Sequence, residues 1–237
     1  MTEEAPKSEP RSEGKRLFAG IRVSLETANS LARAVDTLGR RARDARVELS
    51  WVPPSSYHVT LKFLGWTRLT AIDAVCDALV RGAAGATAFT FKTARLGAFP
   101  SLEKASVVWA GVDEPTGVLG KLAASIEAAL SGIGYAAENR PFHPHVTIAR
   151  ARETRLLKEL VLPVAEQMFG ATPVDAVTLF ESETKPTGSV YKEIFRIDFK
   201  TASNASSGVA ERQTRALDLG AQHGLEDTDD GWPRGHH

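Results

Sequence analysis

Two stretches of this chain, 87 residues apart, carry the same short motif. Residues 57–65 read YHVTLKFLG and residues 142–150 read FHPHVTIAR, so both contain His-Val-Thr followed by an aliphatic residue. One copy alone is best explained as a half-exposed histidine and a β-favouring threonine on a solvated strand. Two copies in matching contexts indicate instead that the two histidines act together.

The segments around the two motifs follow the same order. Each motif strand precedes a helical pattern and then a pair of strand-like segments, which predicts an α+β protein of two related lobes. A strand over 16–23 and a helix that begins near Leu25 come before the first motif, and Thr70 is positioned to cap the helix after it. The other predicted elements are a strand at 47–52, helices over 70–81, 114–130 and 156–167, and strand pairs over 88–99 with 105–112 and 173–182 with 191–199.

Composition favours a globular protein without membrane spans. The chain has 237 residues, of which 43% are hydrophobic, so it can bury a substantial core. Its apolar runs end well before the roughly 18 residues of a membrane helix, and its N-terminus has no apolar signal region. Cys76 is the only cysteine, which excludes an intrachain disulfide and a Cys-based zinc site. These features predict a cytoplasmic location.

Charge separates the two ends from the middle of the chain. Residues 1–14 carry two basic and four acidic residues, and residues 201–237 carry three and six. Of the 29 residues of each sign, residues 15–200 therefore keep 24 basic and 19 acidic ones, a mild excess that suits an anionic substrate. Both ends lack apolar periodicity, so we expect a two-lobed domain over 15–200 between disordered tails.

Strand alternation assigns faces to the motif residues. In the first motif His58, Thr60 and Lys62 share one face. In the second motif His145 and Thr147 share a face. The residues expected on the opposite, core-facing sides are Tyr57, Val59, Leu61 and Phe63 in the first strand, and Val146, Ile148 and Arg150 in the second.

These residue types are suited to cleaving a phosphoester. Two histidines can act near neutral pH as an acid and a base, one charged to give a proton and one neutral to take one. Two hydroxyls and a lysine add donors for phosphoryl oxygens. The set needs no metal or other cofactor. His143 and His145 also form a His-x-His pair that could mimic a zinc or non-haem iron site, but no nearby carboxylate completes a ligand set.

The chain resembles the two-histidine phosphoesterase superfamily, and specifically its RNA 2′,3′-cyclic phosphodiesterase branch, also called 2′-5′ RNA ligases. The resemblance runs from 16 to 199 and is strongest in HVTLKFLG (58–65) and PHVTIAR (144–150). Weaker matches are FP at 99–100 and ESETKPTGSVY at 181–191. The first strand, RLFAGIRVS, departs slightly, because an apolar residue and a proline are usual there.

The resemblance implies a fold and a reaction. The fold would be bilobal, with two pseudo-symmetric antiparallel sheets flanked by helices around a central cleft. The reaction would hydrolyse an RNA terminal 2′,3′-cyclic phosphate, or a cyclic nucleotide, to a 2′-phosphate without a metal. His58 would donate the proton to the departing 3′ oxygen, His145 would activate water, and Thr60 and Thr147 would hold the non-bridging oxygens.

The sequence leaves open the roles of two side chains and the identity of the substrate. Lys62 and Arg150 are candidate substrate-binding residues, although alternation turns Arg150 away from His145, so it either supports the fold or reaches the edge of the cleft. The substrate could instead be a cyclic phosphate derived from a nucleotide or ADP-ribose, or a 2′-5′ oligoadenylate. A non-catalytic RNA-binding module is a third interpretation. We expect a monomer.

Overall fold

Antiparallel strands and four helices make up residues 13–185 and 188–199, which are the residues described by this computed structural model. These residues fall within one unit, Met1–Ala202. The tails predicted at 1–14 and 201–237 lie outside the described residues, apart from Glu13 and Gly14. Within the described part, no helix is long and apolar enough to span a membrane.

The elements alternate along the chain as follows. The helices are α1 (Leu25–Asp44), α2 (Ile72–Gly82), α3 (Val118–Ser131) and α4 (Lys158–Val161). The strands are β1 (Gly14–Arg22), β2 (Ser50–Trp51), β3 (His58–Arg68), β4 (Phe89–Phe99), β5 (Ala105–Asp113), β6 (His145–Arg155), β7 (Met168–Val174), β8 (Ala176–Lys185) and β9 (Gly188–Asp198).

The strands form one sheet that is built of two similar halves. The order is β7-β4-β5-β6-β3-β1-β8-β9, with the short β2 beside β6. The motif strands β3 and β6 lie at the centre, and the pairing between them is the single antiparallel pair Val59–Val146. Outward from this pair each half adds three strands. The predicted α+β class with two pseudo-symmetric antiparallel sheets is confirmed, and the two sheets are continuous through one residue pair.

The chain crosses twice between the two halves of the sheet. The β4–β5 hairpin follows the first motif strand, yet β5 pairs with β6 of the second. The β8–β9 hairpin follows the second motif strand, yet β8 pairs with β1 of the first half. Helices cross as well, since α1 packs on β7 and α3 packs on β3. Each half of the sheet therefore contains strands from both halves of the sequence.

Helix α1 illustrates how the sequence dictates an element. Its buried face carries apolar residues at helical spacing, among them Leu31 and Leu38. Ser24 is the N-cap, and its hydroxyl accepts a hydrogen bond from the Thr27 backbone N–H at 3.2 Å. A cap of this kind contributes about 1 kcal/mol. The Thr27 hydroxyl in turn donates to the Ala171 carbonyl, which fixes α1 against β7.

Several predicted boundaries differ from the structure. Thr70 does not cap α2, because it lies inside a 3₁₀ turn at Leu69–Ala71 that precedes the helix. The helix expected over 156–167 shortens to α4 and a 3₁₀ turn, Leu162–Val164, because Pro163 has no N–H to continue it. The strand expected at 47–52 shrinks to β2. Strand β7 was missed, since its glycine and proline weaken the strand pattern.

Candidate active site

The Val59–Val146 pair determines how the two motifs meet. Because β3 and β6 run antiparallel through this pair, His58 and Thr147 flank it on one side and Thr60 and His145 flank it on the other. Each histidine thus neighbours the threonine of the other motif. The two valines are fully buried and point to the core side, so the four polar side chains share the opposite face. Strand alternation predicts these faces, and the structure places the four residues together.

Both imidazoles are held in the same way by the backbone. The Nδ1 atom of His58 lies 2.7 Å from the Ser56 carbonyl oxygen, and Nδ1 of His145 lies 2.7 Å from the His143 carbonyl oxygen. A carbonyl can only accept, so Nδ1 carries the proton and donates in each ring. Nε2 is then the nitrogen of each histidine that is left to exchange a proton with a substrate.

Aromatic rings surround His58. Its ring centroid lies 4.6 Å from that of Phe18, and Tyr191 meets it edge-on at 4.9 Å. Its Nε2 atom accepts a hydrogen bond from the Thr60 hydroxyl at 3.1 Å when the ring is neutral. Gly20 faces this ring from β1, and a Cβ there would lie 2.8 Å from the Val59 carbonyl. Glycine therefore allows β1 to approach the motif strand closely beside the histidine.

His145 has an aromatic surround of its own. Phe99 lies edge-on to it at 5.0 Å between ring centroids, and the Trp109 ring lies 6.4 Å away. A Cβ on Gly97 would come within 2.4 Å of the Trp109 indole, so only glycine leaves room for that ring. Aromatic rings thus pack against both catalytic candidates and restrict the orientation of the imidazoles.

Burial is the largest cause that lowers the pKa of both histidines, and nearby positive charge acts in the same direction. Burial lowers the pKa of His58 to about 4, although the hydrogen bond to the Ser56 carbonyl opposes this shift. The nearby charges of Arg22, His145 and Arg150 lower the His58 pKa further. Burial also lowers the pKa of His145, and the charges of His143 and Arg150 act in the same direction.

A bulge in β6 brings Arg150 into the site. Ile148 and Ala149 are both buried, and the pairing with β5 skips one residue between Thr147 and Ala149. The extra residue returns Arg150 to the face of His145 and Thr147. The expectation that strand alternation turns Arg150 away is therefore wrong. Its charge lies close enough to lower the pKa of both histidines.

A matching bulge in β3 removes Lys62 from the site. Leu61 and Lys62 are both buried, and the pairing with β1 skips one residue between Thr60 and Lys62. Lys62 is 3% exposed, its ammonium lies 2.8 Å from a Glu127 carboxylate oxygen, and it also donates to the Ala136 carbonyl. The prediction that Lys62 shares the polar face with His58 and Thr60 is wrong. Phe63, expected in the core, is 59% exposed in its place.

His143 contributes its backbone carbonyl, which accepts the hydrogen bond from Nδ1 of His145. Its side chain is exposed and packs against Phe99 and Trp109, with ring centroids 5.3 and 5.2 Å apart. Across residues 13–185 and 188–199, no three His, Cys, Asp or Glu side chains come together as metal ligands would. The His-x-His pair has no further partner of these types there.

A cavity of about 470 Å³ lies elsewhere, on the helix side of the sheet between α1 and residues 51–57. The Tyr57 hydroxyl lines it and is buried without a hydrogen-bond partner in the described part of the chain. Neither motif histidine lines this cavity. The polar face of β3 and β6, with its paired motifs, is the better candidate for an active site.

Sequence reasoning missed several contributors to the site. The carbonyls of Ser56 and His143 leave no trace in side-chain patterns. Phe18 and Tyr191 join only because β1 pairs with the first motif strand, β8 pairs with β1 and β9 pairs with β8. One signal was available, since two consecutive apolar residues before Arg150 break the alternation and are typical of a bulge. Lys62 gave no such signal, because a lysine in a strand is normally interpreted as exposed.

Comparison with known proteins agrees with this geometry. The model of the 2′-5′ RNA ligase superfamily matches residues 27–186. A protein of Methanothermobacter thermautotrophicus named RNA 2′,3′-cyclic phosphodiesterase is 30% identical over 190 residues, covering 77% of this chain and 98% of the relative. A protein of the same name from Aeropyrum pernix is 29% identical over 177 residues, 73% of this chain and 96% of the relative.

Solved structures extend the likeness to the fold. The protein TT0787 of Thermus thermophilus superposes with a TM-score of 0.65 at 26% identity, covering 79% of this chain and 99% of that one. E. coli LigT in complex with 3′-AMP gives a TM-score of 0.61 at 25% identity with the same coverage. The match spans the strands that carry both motifs, and the chain belongs to the 2′-5′ RNA ligase superfamily.

Proposed function

We propose that this protein is an RNA 2′,3′-cyclic phosphodiesterase that opens the terminal cyclic phosphate of RNA to a 2′-phosphomonoester. The observation that carries the proposal is the placement of two histidines, each with Nδ1 bound to a carbonyl and Nε2 left for chemistry, on adjoining strands around one residue pair. Relatives at about 30% identity over most of their length bear the name of this activity.

The reaction needs one proton given and one taken. In the assignment suggested by the family, His145 Nε2 takes a proton from water as the water oxygen bonds to phosphorus. His58 Nε2 donates a proton to the 3′ oxygen as the bond between phosphorus and that oxygen breaks. The products are a 2′-phosphate and a 3′-hydroxyl. Two groups related by the pseudo-twofold arrangement of the strands are suited to serving the attacking and leaving oxygens of an in-line displacement.

The negative charge of the substrate must favour the protonated form of His58, the proposed acid. With a pKa of about 4, His58 is neutral at pH 7. A phosphodiester carries a negative charge, and an anion beside an imidazole favours the protonated form of that ring. Binding of the cyclic phosphate therefore raises the pKa of His58 and charges it as an acid when the substrate arrives.

The phosphoryl oxygens have donors within the same face. Thr60 and Thr147 provide hydroxyls, and Arg150 provides a guanidinium that can bind two oxygens at once. Arg150 takes the place expected of Lys62. Three donors and an imidazolium offset the developing charge without a cation, which is why we propose a metal-independent reaction. The single cysteine, Cys76, suits the reducing cytoplasm where RNA ends of this kind would be met.

A panel of cyclic phosphates tests the proposal. RNA ending in a 2′,3′-cyclic phosphate, a 2′,3′-cyclic mononucleotide, an ADP-ribose cyclic phosphate and 2′-5′ oligoadenylate should be compared by kcat/KM, with the product isomer identified by NMR. We expect turnover of the first two and a 2′-phosphate product. A 3′-phosphate product, or turnover confined to the other two substrates, contradicts the assignment. Tight RNA binding without turnover indicates a binding module.

A further inference from the structure

An exposed aromatic strip runs along the active-site face of β3, away from His58. Phe63 is 59% exposed and Trp66 is 55% exposed, whereas most large apolar residues of this sheet are buried. Gly65, between them, has a φ of +71° and forms part of a second bulge, where the pairing with β1 skips Leu64. This bulge places two side chains three residues apart on one face.

The strip is continuous with the active site. Phe18 links the two, because its ring centroid lies 4.6 Å from that of His58 and 6.1 Å from that of Phe63. The partners of His58 and Trp66 on β1 are Arg22 and Arg16. These partners are six residues apart, about 20 Å at 3.3 Å per residue. Trp66 thus lies on the same face as His58, but beyond the reach of a single nucleotide bound there.

The Trp66 indole covers Gly14 on β1 and can serve as a platform. A Cβ on Gly14 would come within 2.8 Å of two indole atoms, so the ring occupies the space of a missing side chain. Arg16, the exposed cross-strand partner of Trp66, adds a positive charge beside the ring. An exposed ring next to an exposed cation is the combination that binds single-stranded nucleic acid, through base stacking and phosphate contact.

We propose that Phe63 and Trp66, with Arg16, bind the nucleotides on the 5′ side of the cyclic phosphate, so that the protein favours RNA ends over cyclic mononucleotides. This inference rests on the proposed function and extends it to substrate length. Bases stack on Phe63 and Trp66 irrespective of sequence, because every base has a π-face. The Arg16 guanidinium contacts an upstream phosphate, which makes RNA turnover more sensitive to salt than turnover of a mononucleotide.

The test compares two substrates in wild type and Trp66→Ala. For a short single-stranded RNA ending in a 2′,3′-cyclic phosphate, Trp66→Ala should lower kcat/KM roughly 5- to 150-fold, the range that one stacked base supplies. For a 2′,3′-cyclic mononucleotide the same variant should match wild type. Trp66→Phe should restore most of the RNA activity. Met168→Ala, which removes an exposed apolar side chain from β7, is the matched control and should change neither rate.

Salt dependence tests the cation separately. Arg16→Gln should reduce the slope of log kcat/KM against log salt for the RNA by about 0.7, the value for one phosphate contact on a single strand. Its slope for the mononucleotide should stay the same as that of wild type.

Binding provides a readout that does not depend on turnover. A labelled RNA that ends in a 2′-phosphate should bind wild type more tightly than Trp66→Ala by fluorescence anisotropy, whatever the cyclic phosphate assays show. If neither cyclic substrate is turned over, the proposed function is contradicted. The affinity measurement still tests whether the aromatic strip binds RNA. The inference is overturned if Trp66→Ala lowers kcat/KM equally for both substrates. It is also overturned if the variant changes neither the turnover of RNA nor the affinity for RNA.

Discussion

Val59 and Val146 form the single pair through which the two motif strands meet, and that pair sets each histidine beside the threonine of the other motif. The valines are buried and the four polar side chains take the other face. One residue pair therefore fixes the relative position of two imidazoles and two hydroxyl groups.

Removing either histidine should nearly abolish hydrolysis and leave the fold unchanged. His58→Ala and His145→Ala each delete one of the two groups that transfer protons in the proposed reaction, and such a group typically contributes roughly 10²- to 10⁴-fold. Steady-state rates on a cyclic mononucleotide measure the effect, with circular dichroism as the test of folding. His223→Ala removes a histidine far from the motifs in sequence and should keep full activity. Near-normal rates in a folded His58→Ala or His145→Ala contradict the two-histidine mechanism.

Lys62 and Arg150 should behave in opposite ways. Lys62→Met leaves the Glu127 carboxylate without its buried partner and should lower the free energy of unfolding by about 1–3 kcal/mol, with kcat of the folded enzyme retained. Arg150→Ala should keep its stability and lose kcat/KM. Denaturant unfolding and kinetics on both variants separate these effects. If Lys62→Met lost activity without losing stability, the lysine would belong to the cleft after all.

Stability should fall as the pH drops from 6.5 to 4. The pKa of His58 is about 4 in the folded chain and about 6.5 when unfolded, so the unfolded state binds more protons in this window. The stability from His58 is therefore fully present above pH 6.5. The slope from this one group is at most about 1.4 kcal/mol per pH unit. Urea unfolding at several pH values in phosphate-free buffer should show a shallower slope in His58→Gln, and an unchanged slope would mean that His58 titrates normally.

A substrate with sulfur in place of the bridging 3′ oxygen should identify the acid. Thiolate leaves without protonation, so this substrate should rescue His58→Ala and not His145→Ala. The measurement is the ratio of rates on sulfur and oxygen substrates in each variant. Rescue of His145→Ala instead would exchange the two roles and keep the reaction.

Activity should survive exhaustive chelation. The donors of Thr60, Thr147 and Arg150 stabilise the phosphoryl charge in the proposed reaction, and no step uses a cation. Rates before and after EDTA dialysis should agree, with metal content checked by mass spectrometry. Loss of activity that one divalent metal restores would return attention to His143 and His145.

The local sequence sufficed to place the motif residues on one face of each strand. Repetition of His-Val-Thr predicted a pair of acid–base groups, and period-two alternation placed His58 with Thr60 and His145 with Thr147, because a regular strand leaves no other choice over three residues. The α+β class also followed from the alternation of helical and strand-like patterns.

Tertiary structure decided which face each residue takes once it lies more than three residues from a motif histidine. Bulges in β3 and β6 depend on pairing with β1 and β5, and each reverses the faces of the residues that follow it up to the next bulge. They bury Lys62, expose Phe63 and return Arg150 to the site. The crossing of the two hairpins is likewise set by long-range pairing, and it brings Phe18 and Tyr191 to His58. A local pattern fixes the direction of a side chain only while the strand stays regular, and irregularity is imposed by the neighbouring strands.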